Sequence, residues 1–194
     1  MNRDQAYTLM TQMLQNKNLQ KHNLAVEAIM RALAKELKKK HPELSGEEFN
    51  EEEWGIVGLL HDADYEITGK DLTKHTLVTE ERIKSLGASE KVINGIKAHS
   101  DTIKSKRENY LEKAVFACDE LSGLITAAAL VRPDKKLAGL TTDSVLKRFK
   151  EKAFAAGAKR EQILLCETEL EIPFPEFVKI SLEAMQGIAP KLGL

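Results

Sequence analysis

Cysteine is scarce in this 194-residue chain, and the scarcity narrows what the chain can be. The two that occur, Cys118 and Cys166, sit far apart in apolar, helix-like stretches, which predicts reduced thiols and a cytoplasmic setting rather than a disulfide framework. No apolar run approaches the ~20 residues of a bilayer span, and Met1 to Met13 lacks the basic-then-apolar order of a secretory leader. No membrane partner is expected. Excess charge of one sign is missing too, with 29 Lys and Arg against 30 Asp and Glu and a net charge of -1. Without a global positive field, a nucleic-acid polymer is not expected as a partner, and any anionic ligand must be held locally. Aromatics are only 5% and β-branched runs are few, which argues against a sheet.

What is present favours helix. Leu, Ala, Glu and Lys dominate, and a mix of 42% hydrophobic and 30% charged residues suits a water-soluble globule. The length predicts one domain spanning 1–194, and the helix-favouring composition makes it all-α, a helical bundle with a core of about 18–130 and C-terminal helices of about 140–190 packed on it. His22, Val26, Ile29, Leu33 and Leu37 recur at steps of three and four, so the histidine shares the apolar stripe of a helix reaching about Lys40. After Pro42, Ser45 and Asn50 offer N-caps, and Trp54, Val57 and His61 form a second stripe. A helix is expected from about Thr73 to Leu86, ended by Gly87 in a left-handed cap, and another capped by Ser89 with Val92, Ile96 and His99 on one face. Beyond a polar loop from Asp101 to Glu108, Leu111 to Val131 reads as one long helix with Val115, Asp119 and Ser122 on one face. There Ser122-Gly123 would permit close packing against a neighbour. Further helices are expected near Thr142 to Phe154, Lys159 to Leu170 and Pro175 to Ile188.

The dipeptide His61-Asp62 would arise by chance in roughly one sequence in five of this composition. Its setting matters more. Ile56, Val57, Leu59 and Leu60 lead into it, so an imidazole and a carboxylate leave a buried helix together, and a buried carboxylate needs a partner. A divalent cation suits this donor pair, with further ligands arriving from other helices, for which His22 and Asp119 are the inward-facing candidates.

An early helical His, a His-Asp pair and a late Asp on a long helix, in that order over about Lys21 to Leu124, resemble the HD superfamily of metal-dependent phosphohydrolases. The resemblance implies an all-helical fold in which His22, His61, Asp62 and Asp119 bind a divalent metal. His75 and His99 fall between the pair and the late Asp, as in members that hold a second ion with the pair's Asp bridging. The cofactor implied is therefore one or two ions of Mn, Fe, Ni, Co, Zn or Mg. More narrowly, Trp54 to Glu66, Leu111 to Lys136 and Ser144 to Glu161 look like an uncharacterised bacterial branch of HD-domain hydrolases. The activity implied is hydrolysis of a phosphate ester or anhydride in a small nucleotide-like substrate through a metal-activated water. The alternative is a regulatory or ligand-sensing module that keeps the metal site without turnover.

The chain departs from the common His-Asp-Ile-Gly-Lys form, since Asp64, Tyr65 and Glu66 follow the pair where other members place a phosphate-contacting lysine. Lys70 and Lys74 are candidates for that contact, as is Arg132 beyond the long helix, although a charge run after Pro133 is more simply surface. Asp64 and Glu66 are either solvated acids at a helix end or groups in proton transfer or ligand support, which makes them catalytic candidates beside Asp62. His41, next to Pro42 after three lysines, reads as a solvated loop residue. Cys118 suits packing better than nucleophilic chemistry, since no cationic partner for a thiolate is evident. Nothing in the pattern speaks to oligomeric state.

Overall fold

A computed structural model describes residues 1–102 and 106–194. Among these residues the chain is all-α: α1 (Arg3–Met13), α2 (Lys17–Lys40), α3 (Glu51–Leu60), α4 (Leu77–Ser85), α5 (Glu90–Ala98), α6 (Tyr110–Leu130), α7 (Thr142–Lys150), α8 (Arg160–Glu169), α9 (Phe174–Gly187) and α10 (Ala189–Leu192). The polar loop expected at Asp101 to Glu108 lies partly outside the described residues. None of the described helices is long and apolar enough to cross a membrane.

Local chemistry starts most of these helices where the sequence places a cap. Asn50 accepts from the amides of Glu52 and Glu53 at the start of α3, and Ser89 accepts from Val92 at the start of α5. Gly87, at φ +74, ends the α4 region in the left-handed conformation expected of it. Helix α1 lies outside the expected set, yet Asn2 and Gln5 form a reciprocal capping box there, each side chain accepting from the other's backbone amide.

Helix α4 departs from expectation at its start, which falls at Leu77 rather than Thr73. The cap is non-local. Thr76 is held at φ +72, a rare conformation for a β-branched residue, and its amide donates to Asp64 from twelve positions earlier. Helix α7 ends at Lys150 rather than Phe154, and turns follow it.

Helix α2 packs most extensively on α3 and also meets α6 and α9, while α6 is flanked by α5, α7 and α8. One apolar cluster runs through the molecule, joining Val26, Ile29 and Leu33 of α2 to Val115 and Leu121 of α6 and to Phe177, Leu182 and Met185 of α9. The C-terminal helices thus close over the same core as the N-terminal ones.

Two close helix crossings hold α2, α3, α5 and α6 in register. A Cβ on Gly58 would sit 2.8 Å from the backbone of Val26 and Glu27, so α3 meets α2 where only glycine fits. A Cβ on Gly95 would overlap the side chains of Leu111 and Val57, so α5 packs closely against α6 and α3 there. Gly123 differs from expectation: a Cβ there would meet nothing within 4 Å, so it faces open space, and of the Ser122-Gly123 pair Ser122 alone is buried. His41 also differs. Its side chain is 12% exposed and packs 4.9 Å from the Tyr110 ring, because the chain folds back over the end of α2.

Candidate metal centre

Five chain segments deliver six polar side chains to one place. His22 comes from the second turn of α2, His61 caps the C-terminus of α3 with Asp62 immediately after it, and His75 lies in the turns before α4. His99 caps the C-terminus of α5, and Asp119 lies midway along α6. Asn23, beside His22, donates to the Leu59 carbonyl at 3.0 Å and ties α2 to α3 at this level.

The donor atoms fall into two sets that share one carboxylate. In the first, His22 Nε2 lies 3.1 Å from His61 Nε2, 2.9 Å from Asp119 Oδ1 and 3.7 Å from Asp62 Oδ2. His61 Nε2 lies 3.5 Å from Asp119 Oδ1 and 3.7 Å from Asp62 Oδ2. In the second, Asp62 turns its other oxygen, Oδ1, to within 3.2 Å of His75 Nε2 and 3.4 Å of His99 Nε2, and those two nitrogens are 2.8 Å apart. Ligands ~2.0–2.1 Å from one ion stand about 2.8 to 3.4 Å from each other at right or tetrahedral angles, so the shorter spacings in both sets have the dimensions of a cation site. The groupings His22, His61, Asp62 and Asp62, His75, His99 could each hold a metal ion.

The four imidazoles are oriented alike. His61 Nδ1 donates to the Gly58 carbonyl at 2.8 Å, His99 Nδ1 to the Ile96 carbonyl at 2.6 Å, and His75 Nδ1 to Asp64 Oδ1 at 2.8 Å. His22 Nδ1 lies 3.1 Å from Ser122 Oγ, whose own proton goes to the Asp119 carbonyl. With the Nδ1 protons so placed, every Nε2 faces the cluster and is the nitrogen left to bind a metal once any proton on it is displaced.

A family model described as HD domain matches residues 19–124, more than half of the chain and the whole of this cluster. The chain belongs to the HD domain family. HD domains form a superfamily of metal-dependent phosphohydrolases, and the donor set here is of the kind they use for divalent metals. No characterised protein and no solved structure gives a significant match.

Burial grades across the HD cluster. His61, His75 and His99 have side chains 0%, 4% and 6% exposed, whereas His22, Asp62 and Asp119 keep 24%, 17% and 25%. The second set therefore lies deep and the first opens towards solvent. Burial opposes charge on His61, but the carboxylates of Asp62 and Asp119 overcome it and raise its pKa to about 9. Burial likewise opposes charge on His75, and hydrogen bonds to Asp62 and Asp64 raise it to about 9. Burial would raise Asp62 and Asp119, yet their histidine neighbours hold both well below the usual carboxylate range. The cluster thus concentrates anionic oxygen around a space that protons or a cation must fill.

The remaining candidates lie elsewhere or do other work. Asp64 is fully buried rather than solvated, with Oδ1 taken by His75 and the Thr76 amide and Oδ2 by the Thr79 amide. Glu66 accepts from the amides of Gln15 and Asn16 at 2.6 and 2.9 Å and so braces the entry to α2. Lys74 is 70% exposed beside Asp71, Lys70 sits in a turn at φ +65, and Arg132 pairs with Asp134 past the end of α6. Among the described residues none of these four has a hydrogen bond or ion pair to the cluster. Cys118 is fully buried, and burial together with Asp119 pushes its thiol well up, so it packs rather than reacts.

Three contributors carry little signal in the sequence. Gly58 is legible only as a glycine inside an apolar helix, Ser122 reads as a packing residue, and Lys21 belongs to no pattern although it immediately precedes His22. Beside Lys21 and His22 opens a pocket of about 400 Å³, bounded also by α6 and the segment from Leu192 to Leu194.

Proposed function

We propose that the chain hydrolyses a phosphate ester or anhydride of a small, nucleotide-like substrate. The observation that carries this is the shared aim of four imidazole Nε2 atoms, each fixed by a hydrogen bond at Nδ1, towards the carboxylates of Asp62 and Asp119. In this reading His22, His61, Asp62 and Asp119 hold one divalent cation, and Asp62, His75 and His99 hold a second. Such cations lower the pKa of bound water to ~7 and withdraw charge from a phosphoryl oxygen.

The residues themselves supply position. Asp62 offers one oxygen to each donor set, so its carboxylate fixes the separation of the two sites. The partial exposure of His22, Asp62 and Asp119 leaves a face by which a phosphoryl group and water reach the first set. Asp64 is a positioning residue: it holds the His75 ring and touches no space open to substrate. Phosphate charge needs cationic contacts as well, and Lys21 is better placed for this than Lys70, Lys74 or Arg132 because it borders the pocket that His22 lines. The free, buried Cys118 and Cys166 support a reducing, cytoplasmic setting.

Turnover of a panel of phosphomonoesters, phosphodiesters and nucleotides, run separately with Mn, Fe, Ni, Co, Zn and Mg, tests the proposal. Metal-dependent release of phosphate or a nucleotide product is expected. Tight metal binding with no turnover of any substrate would instead favour a ligand-sensing module.

A further inference from the structure

The pocket beside the metal cluster has a chemistry of its own. His22 belongs to both, so the pocket adjoins the cluster. Its volume of about 400 Å³ lies within the ~300–1,000 Å³ of small-molecule sites. Leu130 on its wall is 48% exposed, a large apolar side chain that the fold leaves uncovered, and Leu192 and Leu194 face the same space. Gly123 lies on the α6 side, where a Cβ would meet nothing. Lys21 is the only cation among the residues that border the pocket, and among the described residues it makes no ion pair. Its ammonium lies close to Gly193, where an added Cβ would come within 2.9 Å of Nζ. Leu130 and the segment from Leu192 to Leu194 fall outside residues 19–124, so this wall is added by the chain to its HD domain.

We propose that this pocket receives the organic group of a phosphate monoester, that Lys21 contacts its phosphate, and that position 123 limits the size of the group accepted. The inference rests on the phosphohydrolase reading and deepens it. A single bordering cation matches a single phosphate, whereas a polyphosphate chain would need several, and the leucine wall matches a compact group with an apolar face. Replacing Gly123 by leucine fills the pocket from a helix position that tolerates the change, since leucine favours helix more than glycine does.

The experiment uses full-length protein reconstituted with manganese and three probes: methyl phosphate, phenyl phosphate and adenosine monophosphate. Wild-type kcat/KM should rise from methyl to phenyl phosphate and adenosine monophosphate, and adenosine triphosphate should be a poorer substrate than the monophosphate. In Gly123→Leu, the kcat/KM ratio of adenosine monophosphate to methyl phosphate should fall at least tenfold. Calorimetric binding of adenosine monophosphate should weaken to a similar degree, with bound manganese and melting temperature retained. Leu130→Glu, a change at an exposed site, should weaken the same binding by putting a charge in the apolar wall that faces the organic group. Unchanged ratios and unchanged binding in both variants would overturn the inference. If the wild type turns over none of the probes, the hydrolase reading fails by itself, and the binding measurements alone decide the pocket: adenosine monophosphate bound by the wild type and lost in Gly123→Leu upholds it, and no binding overturns it.

Discussion

Asp64 accepts the Nδ1 proton of His75 at 2.8 Å from a fully buried carboxylate that also takes the amides of Thr76 and Thr79. One side chain thus orients a member of the deeper donor set and caps the start of α4, so the geometry of the cluster and the local fold depend on the same group.

Replacing that carboxylate separates the two donor sets. Asp64→Asn keeps the shape but offers a poorer acceptor to His75, and loss of such a supporting contact typically weakens metal affinity ~10–100-fold. The deeper set, Asp62, His75 and His99, should lose its ion while the outer set keeps one. Titration of metal-stripped protein should show two equivalents in the wild type and about one in the variant; an unchanged second equivalent would contradict the assignment.

Gly58 should be intolerant of even one added carbon. The 2.8 Å approach to the backbone of Val26 and Glu27 cannot relax without moving α3 off α2, and overpacking of this kind costs about 1–3 kcal/mol. Gly58→Ala should lower unfolding stability by that amount in urea and also weaken metal binding, because His61 Nδ1 donates to the Gly58 carbonyl. Wild-type stability in the variant would count against so tight a crossing.

Without metal, the protein should lose stability as the solution becomes alkaline. His61 and His75 are raised to about 9, above the ~6.5 of an unfolded histidine, so the stability they contribute is complete below ~6.5 and is lost as pH rises through about 9. Asp62, Asp64 and Asp119 are lowered, so their contribution is present above ~3.9 and is lost as pH falls through their depressed folded values. Melting temperatures of chelator-treated protein should therefore decline between pH 6.5 and 9. A rise over that interval would show that the histidines are not paired with these carboxylates. Adding metal at pH 7 should release protons, measurable in weakly buffered solution.

Much of this arrangement was legible because helical periodicity reports facing. His22, His61 and Asp119 each fall on an apolar stripe, and the structure brings them together from α2, α3 and α6. His75 could not be positioned in this way, since it lies in a turn held by a carboxylate eleven residues earlier, a contact that no local pattern encodes. The same non-local bond delays the start of α4 and conceals Asp64, whose place after a His-Asp pair suggests a solvated acid. Glu66 misleads for a related reason: it reaches back about fifty positions to brace Gln15 and Asn16. Helix α1 carries both signals, the cap of Asn2 and Gln5 and a stripe of Ala6, Leu9, Met10 and Met13 at helical spacing that the fold buries, and the polar residues between them mask it.

The most direct test of the central claim is phosphoester turnover, together with bound metal per chain, in wild-type protein and Asp62→Ala, each stripped with chelator and then reconstituted. Among the described residues, Asp62 alone offers an oxygen to both donor sets. The wild type should regain turnover with a divalent ion, and the variant should lose bound metal and turnover together. Full metal content and full activity in Asp62→Ala, or undiminished activity in stripped wild type, would contradict a metal-dependent hydrolase centred on His61-Asp62.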